Sequence, residues 1–178
     1  MKKINSIIPL IIMTFVLLAF PATELHSQDI DPTLLSLRGI SKIGVIVEKI
    51  NQPLHDVGIN EMEIKNLVKD ELISASITVL PMVKIHDIPG SPYLYINIGA
   101  IKSKQQDLYA VSLNVQLKQD VILSRNLKLK YYGATTWSTS NIGIMSSDKL
   151  KEINNFTKVL VDKFVKDFLI ANRGGHKL

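Results

Sequence analysis

The chain has 178 residues, with 21 Lys and Arg against 16 Asp and Glu, and no Cys. That length holds one domain, with or without a targeting segment. A composition of 46% hydrophobic and 21% charged residues excludes disorder, collagen and coiled coil, and the lack of Cys excludes disulfides, thiolate zinc sites, iron–sulfur clusters and cysteine nucleophiles.

Lys2 and Lys3 precede an apolar run over residues 7–20, interrupted by Pro9 and Thr14. Cations ahead of a short apolar run are the pattern of a secretory signal. A spanning helix needs about 20 apolar residues, so the run is short for a permanent anchor. Residues 1–27 are therefore expected to be a cleaved signal peptide, with a short anchor as the alternative and transient membrane contact through this segment. Without a Cys, a lipoprotein anchor is excluded. The exported chain stays mildly basic, and its cations are interleaved with acids rather than gathered in a stripe, which argues against nucleic acid.

Residues 28–39 read as a flexible arm, residues 40–173 as a single α/β domain and residues 174–178 as a tail. The stretch 41–50 carries the β-branched run Val45, Ile46, Val47 and predicts the first strand. Pro53 and Gly58 mark a loop. Asn60 then starts a helix, with Glu63 placed for a capping box and Ile59 and Ile64 for a hydrophobic staple. Its apolar face is Ile64, Leu67, Val68, Leu72 and Ala75. A short strand over 77–80 stops at Pro81, and its spacing from the first strand predicts a parallel crossover.

Residues 82–91 read as a connecting loop. The third strand, 92–101, alternates Leu94, Ile96, Ile98 and Ala100 against Tyr93, Tyr95 and Asn97. The fourth, 108–123, sets Tyr109, Val111, Leu113, Val115 and Leu117 against Ser112, Asn114, Gln116 and Lys118. Its length predicts a bulge near Gln119 and Asp120. Arg125 and Asn126 read as a hairpin turn into a fifth strand over 127–137. Residues 138–147, rich in Ser, Asn and Gly, are expected to be a mobile loop. A final helix over 148–171 carries Leu150, Ile153, Phe156, Leu160, Phe164 and Phe168, widened by Val161, Val165 and Leu169. The order β-α-β-β-β-β-α predicts an α/β (α+β) two-layer sandwich. Its mixed sheet of about five strands has two helices on one face.

The stretches LRGISKIGVIVEKIN, GSPYLYINI, YAVSLNVQLKQDVILSRN and LVDKFVKDFLIAN resemble an uncharacterised family of small exported bacterial proteins. The resemblance spans nearly all of the chain after the leader and implies no activity. In element order the chain is also similar to the periplasmic α/β modules of the curli-secretion lipoprotein and the TolB amino-terminal domain, which implies partner binding at the envelope.

Catalytic patterns are weak. The four His (His26, His55, His86 and His176) show no ligand spacing. The dipeptides His55-Asp56 and His86-Asp87 are expected to be solvated loop residues. No G-x-S-x-G occurs, the 51–58 loop has one Gly, and Glu48 has no partner acid in its pattern. The reading is an exported, non-enzymatic module without cofactor or metal. Its partner would be an envelope protein or surface polymer, bound on the exposed sheet face.

The candidate binding residues are Tyr93, Tyr95, Asn97, Lys118, Lys128, Lys130, Tyr132 and Trp137, an aromatic platform flanked by cations. Two alternatives are kept. One is a carrier of a small apolar ligand, with a pocket between the last helix and the sheet lined by Phe156, Phe164 and Tyr109. The other is a hydrolase with an unrecognised site. The oligomeric state is not legible in the sequence.

Overall fold

Asn60 shows how closely local sequence dictates local structure. Its side chain accepts the Glu63 N–H at 2.9 Å and starts the helix Glu61–Ser74. Ile59 and Ile64 are buried as the staple predicts. Glu63 does not reach back to the cap. Its carboxylate instead accepts from Asn154 on the last helix at 2.7 Å. A half-made capping box has thus become a tie between two helices.

The computed structural model describes residues 32–173. The expected signal peptide and tail lie outside the described residues. The strands are β1 (Lys42–Val47), β2 (Thr78–Val79), β3 (Tyr93–Lys102), β4 (Leu108–Leu123) and β5 (Asn126–Ser146). The α-helices are α1 (Gln52–His55), α2 (Glu61–Ser74), α3 (Met82–Ile85) and α4 (Ile153–Asn172). The sheet order is β2-β1-β3-β4-β5, with β1 parallel to both neighbours and β3, β4 and β5 antiparallel. This is the expected mixed-sheet α+β sandwich.

Strand parity decides which face is which. Val45, Leu94, Ile96, Ile98, Ala100, Tyr109, Val111, Leu113, Val115 and Leu117 all bury on the inner face. Against them pack Ile64, Val68 and Leu72 of α2 and Leu160, Val161, Phe164 and Phe168 of α4. The two helices lie side by side, and Lys158 on α4 pairs with Glu71 on α2. Leu169, expected to widen the apolar stripe, is exposed instead, because α4 turns that position outward. No helix among the described residues is long and apolar enough to cross a membrane.

Further expectations change. The stretch 51–58, expected to be a loop, contains the helix α1. Residues 32–37, read as part of a flexible arm, form a 3-10 segment (Pro32–Leu37) whose Leu37 is fully buried. Asn172 of α4 fastens its C-terminal end, donating to the Leu37 carbonyl at 3.1 Å and accepting the Gly39 N–H at 2.9 Å.

The loop after β2 contains α3, which covers the outer face of the sheet at Gly44. A Cβ on Gly44 would stand 2.8 Å from Ile85 and 3.3 Å from Tyr93. Only Gly lets this helix approach so closely.

Residues 138–146, read as a mobile loop, continue β5. Thr139 pairs with Val115, Ile142 with Ser112 and Ile144 with Ala110. Backbone pairing to the long, regular β4 holds this stretch extended, whatever its Ser and Gly content. The last helix correspondingly starts later, after a 3-10 turn over Ser147–Glu152.

Candidate functional site: the open face of the sheet

The outer face is built by every second residue of β3, β4 and β5. In register, Tyr93 faces Lys118, Tyr95 faces Gln116, Asn97 faces Asn114, Gly99 faces Ser112 and Ile101 faces Ala110. On β5, Ser138, Ser140, Ile142 and Ile144 continue these rows. α3 covers the β1 end of the face, and the rest is open or half-open.

Toward the β1 side the face is organised around Glu48. Its backbone N–H donates to the Ile96 carbonyl at 2.8 Å, which extends the β1–β3 ladder by one residue. Its carboxylate then accepts from the Tyr95 hydroxyl and the Asn97 amide. The Tyr95 bond, then the Asn97 bond, holds the Glu48 carboxyl below its ordinary pKa. The same bond pushes the Tyr95 phenol up to about 12, with desolvation adding to it. Lys118 places its ammonium 4.2 Å above the Tyr95 ring centroid. The group is therefore fixed by its own contacts, and one face of the Tyr95 ring is already covered by a cation.

Beyond this cluster lies a strip of half-exposed amides and hydroxyls, Asn97, Asn114, Gln116 and Ser112. At the far end the chemistry turns apolar. Ile101, Ala110 and Ile144 form one row across three strands, with Ile142 two residues along β5. Ile101, Ile142 and Ile144 are 74%, 78% and 75% exposed. The row borders an open hollow of about 310 Å³, with Lys102, Ser103, Gln106 and Leu108 on its other walls.

Of the eight residues read from sequence as a platform, Tyr93, Tyr95, Asn97 and Lys118 are brought together. Lys130 and Tyr132 lie past the bulges of the β4–β5 hairpin. There the Lys130 ammonium sits 4.8 Å above the Tyr132 ring and 3.1 Å from Asp120. Asp120 also accepts from the Gly133 N–H and the Ser91 hydroxyl, so it anchors the hairpin base. Burial raises the Asp120 carboxyl, but the bonds from Lys130, Gly133 and Ser91 outweigh it and leave its pKa lowered. Lys128 is exposed on the hairpin.

Trp137 is not on the platform. It pairs with Leu117 and so faces inward. There its ring packs edge-on against Phe164, with centroids 5.1 Å apart. The parity misleads because a bulge between Leu117 and Lys118 flips the strand.

Phe164 and Tyr109, two of the three residues read as lining a ligand pocket, are buried in the core cluster, and Phe156 packs against it. The His55-Asp56 and His86-Asp87 dipeptides do not converge into a ligand group. Among the described residues no three or more His, Asp or Glu could hold a metal ion. His55 instead contacts Glu61 at 3.4 Å.

Sequence reasoning missed two parts of this face. In the sequence Glu48 is a lone carboxylate on an apolar strand. Its signal was parity: it follows Gly44 and Ile46 at two-residue steps, and so shares their face. Ile142 and Ile144 are hidden because the Ser, Asn and Gly around them carry the composition of a loop.

No family model and no curated protein matches the chain. Among solved structures, it is similar to a PelC dodecamer from Paraburkholderia phytofirmans carrying one substitution. That match has a TM-score of 0.43 and 14% identity over 76% of this chain and 91% of that one. A second PelC dodecamer from the same organism gives 0.40 and 14%, over 71% and 87%. A minor lipoprotein from Acinetobacter baumannii gives 0.34 and 6%, over 74% and 93%. At these scores the likeness carries nothing about assembly or activity.

Proposed function

We propose that the chain is an exported, non-enzymatic module that binds a protein of the cell envelope through the open face of its sheet. The observation that carries this is the exposed row Ile101–Ala110–Ile144 with Ile142, set at one end of a face whose other end is fixed by Glu48, Tyr95, Asn97 and Lys118. Contiguous exposed isoleucines cost solubility and mark docking surfaces, while a pre-ordered polar cluster loses little entropy on binding. A sugar that stacks on an aromatic ring needs a bare ring face, and Lys118 already covers one side of Tyr95. That favours a protein over a glycan. Export is supported by the pair of cations and short apolar run that open the sequence.

The test is affinity capture of envelope proteins with the chain and with two variants, Ile101→Lys and Lys118→Glu. Both positions lie on the sheet's outer face, away from the core. The reading expects a captured partner to be lost with either variant while circular dichroism stays unchanged. Equal capture by all three forms overturns it.

A further inference from the structure

The two edges of the sheet are unlike. At one side β2 has two residues, Thr78 and Val79, and Pro81 stands two residues after it. At the other side β5 runs for 21 residues, and among the described residues no strand pairs with its far side. Part of that edge is blunted, since Ser36 of the 3-10 segment donates to the Thr136 carbonyl at 2.9 Å. Past that point the edge is open. Ser138, Ser140, Asn141, Ile142, Gly143 and Ile144 are all exposed.

Natural edge strands are protected by Lys, Pro, bulges or inward charges. The open stretch 138–144 has none of these. Residues 131–147 contain no charged side chain and no Pro, in a chain that is 21% charged. The bulges of β5 stop at Thr136, between its pairings to Leu117 and Lys118, and the stretch 138–144 pairs with β4 without a break.

We infer that residues 138–144 of β5 are a self-association edge, which pairs antiparallel with the same strand of a second copy about a two-fold axis at Asn141. Three observations favour a second copy over a foreign strand. An antiparallel two-fold pairing is self-complementary for any extended segment. Each copy carries net positive charge, so copies meet most easily where no cation faces a cation, and this stretch has no charged side chain. Finally, β2 is too short to serve as the complementary edge of a head-to-tail chain, so pairing closes at two copies.

Centring on Asn141 uses the whole open stretch. Ser138 then faces Ile144, Thr139 faces Gly143 and Ser140 faces Ile142 of the second copy. The two sheets merge into one of ten strands, and the two outer faces run continuously across the seam. This inference shares Ile142 and Ile144 with the partner-binding reading but uses their backbone edge, so dimerisation and the loss of capture in Ile101→Lys and Lys118→Glu are separate readouts.

The test uses the full chain, which has no native Cys. Light scattering with size exclusion is expected to give twice the chain mass. Asn141→Lys places two ammonium groups opposite each other at the axis and is expected to weaken dimerisation by at least about tenfold. Asn141→Cys is expected to yield a covalent dimer under mild oxidation, since opposite residues sit within disulfide reach only in this register. Gln105→Cys, exposed at a turn away from the edge, is expected to yield none. A monomer over the accessible concentration range overturns the inference. So does an oligomer that survives Asn141→Lys, or an Asn141→Cys form that fails to cross-link.

Discussion

Trp137 donates its indole N–H to the Asp167 carboxylate across 3.0 Å and so ties the edge strand to the last helix. Asp167 is buried, and Lys163 holds the same oxygen at 2.8 Å one turn away. The pair forms the wall of an open cavity of about 510 Å³, together with Leu34, Thr135, Thr136 and Ser138. Removing the donor takes one of two bonds from a buried carboxylate oxygen and leaves it to Lys163 alone. Trp137→Phe is therefore expected to cost about 1–3 kcal/mol, although it keeps an aromatic ring against Phe164. Urea denaturation followed by circular dichroism checks this.

The Glu48–Tyr95 bond has a spectroscopic signature. The ordinary tyrosine value is 10.0, and the hydrogen bond to Glu48 pushes Tyr95 to about 12. With a raised native value, the contribution of this bond to stability is complete below pH 10 and lost as pH rises through about 12. An ultraviolet titration of phenolate absorbance is expected to show a late step that disappears in Tyr95→Phe. An unchanged titration in that variant contradicts the assigned bond.

Asp120 sets a pH dependence at the opposite extreme. Its carboxyl lies below the ordinary 3.8, so its contribution is present above that pH and lost as acidification passes through the lower native value. The residues it holds, Lys130, Gly133 and Ser91, fasten the β4–β5 hairpin to the body of the sheet. The protection of amides over residues 121–132, relative to their intrinsic exchange rates, is expected to fall on acidification. Asp120→Asn is expected to produce the same loss of protection at neutral pH.

Gly44 tests the covering of the outer face by α3. An added Cβ stands 2.5 Å from the Met82 sulfur, which can swing away, and 2.8 Å from buried Ile85, which cannot do so freely. Gly44→Ala is expected to destabilise by about 1–3 kcal/mol through overpacking. Differential scanning calorimetry supplies the check, and a neutral substitution contradicts the close approach.

Much of the architecture is legible in the sequence where pattern and pairing agree. The alternation in residues 108–117 defines β4 and its inner face, and Asn60 defines the start of α2 within one residue. The bulge expected near Gln119 is present as a register shift. Legibility fails where tertiary pairing overrides local composition. Residues 138–146 carry the Ser, Asn and Gly of a loop, yet the ladder to β4 holds them extended. Leu37 looks like a linker residue until α4 and β5 close over it.

The candidate face was half legible for the same reason. Tyr93, Tyr95, Asn97 and Lys118 follow from strict period-two parity on β3 and β4. Trp137 does not follow it, because one bulged residue on β5 inverts the parity and no local signal marks which residue bulges. The apolar row was invisible because Ile144 becomes a neighbour of Ile101 only through two successive strand registers.

The most direct measurement of the central claim is site-specific photo-crosslinking in the native cell. A photoreactive residue at Asn114, in the middle of the open face, is compared with one at Lys166, exposed on α4. The account predicts covalent adducts to an envelope protein from Asn114 and not from Lys166. Equal adducts from both positions, or adducts from the helix side alone, would contradict it.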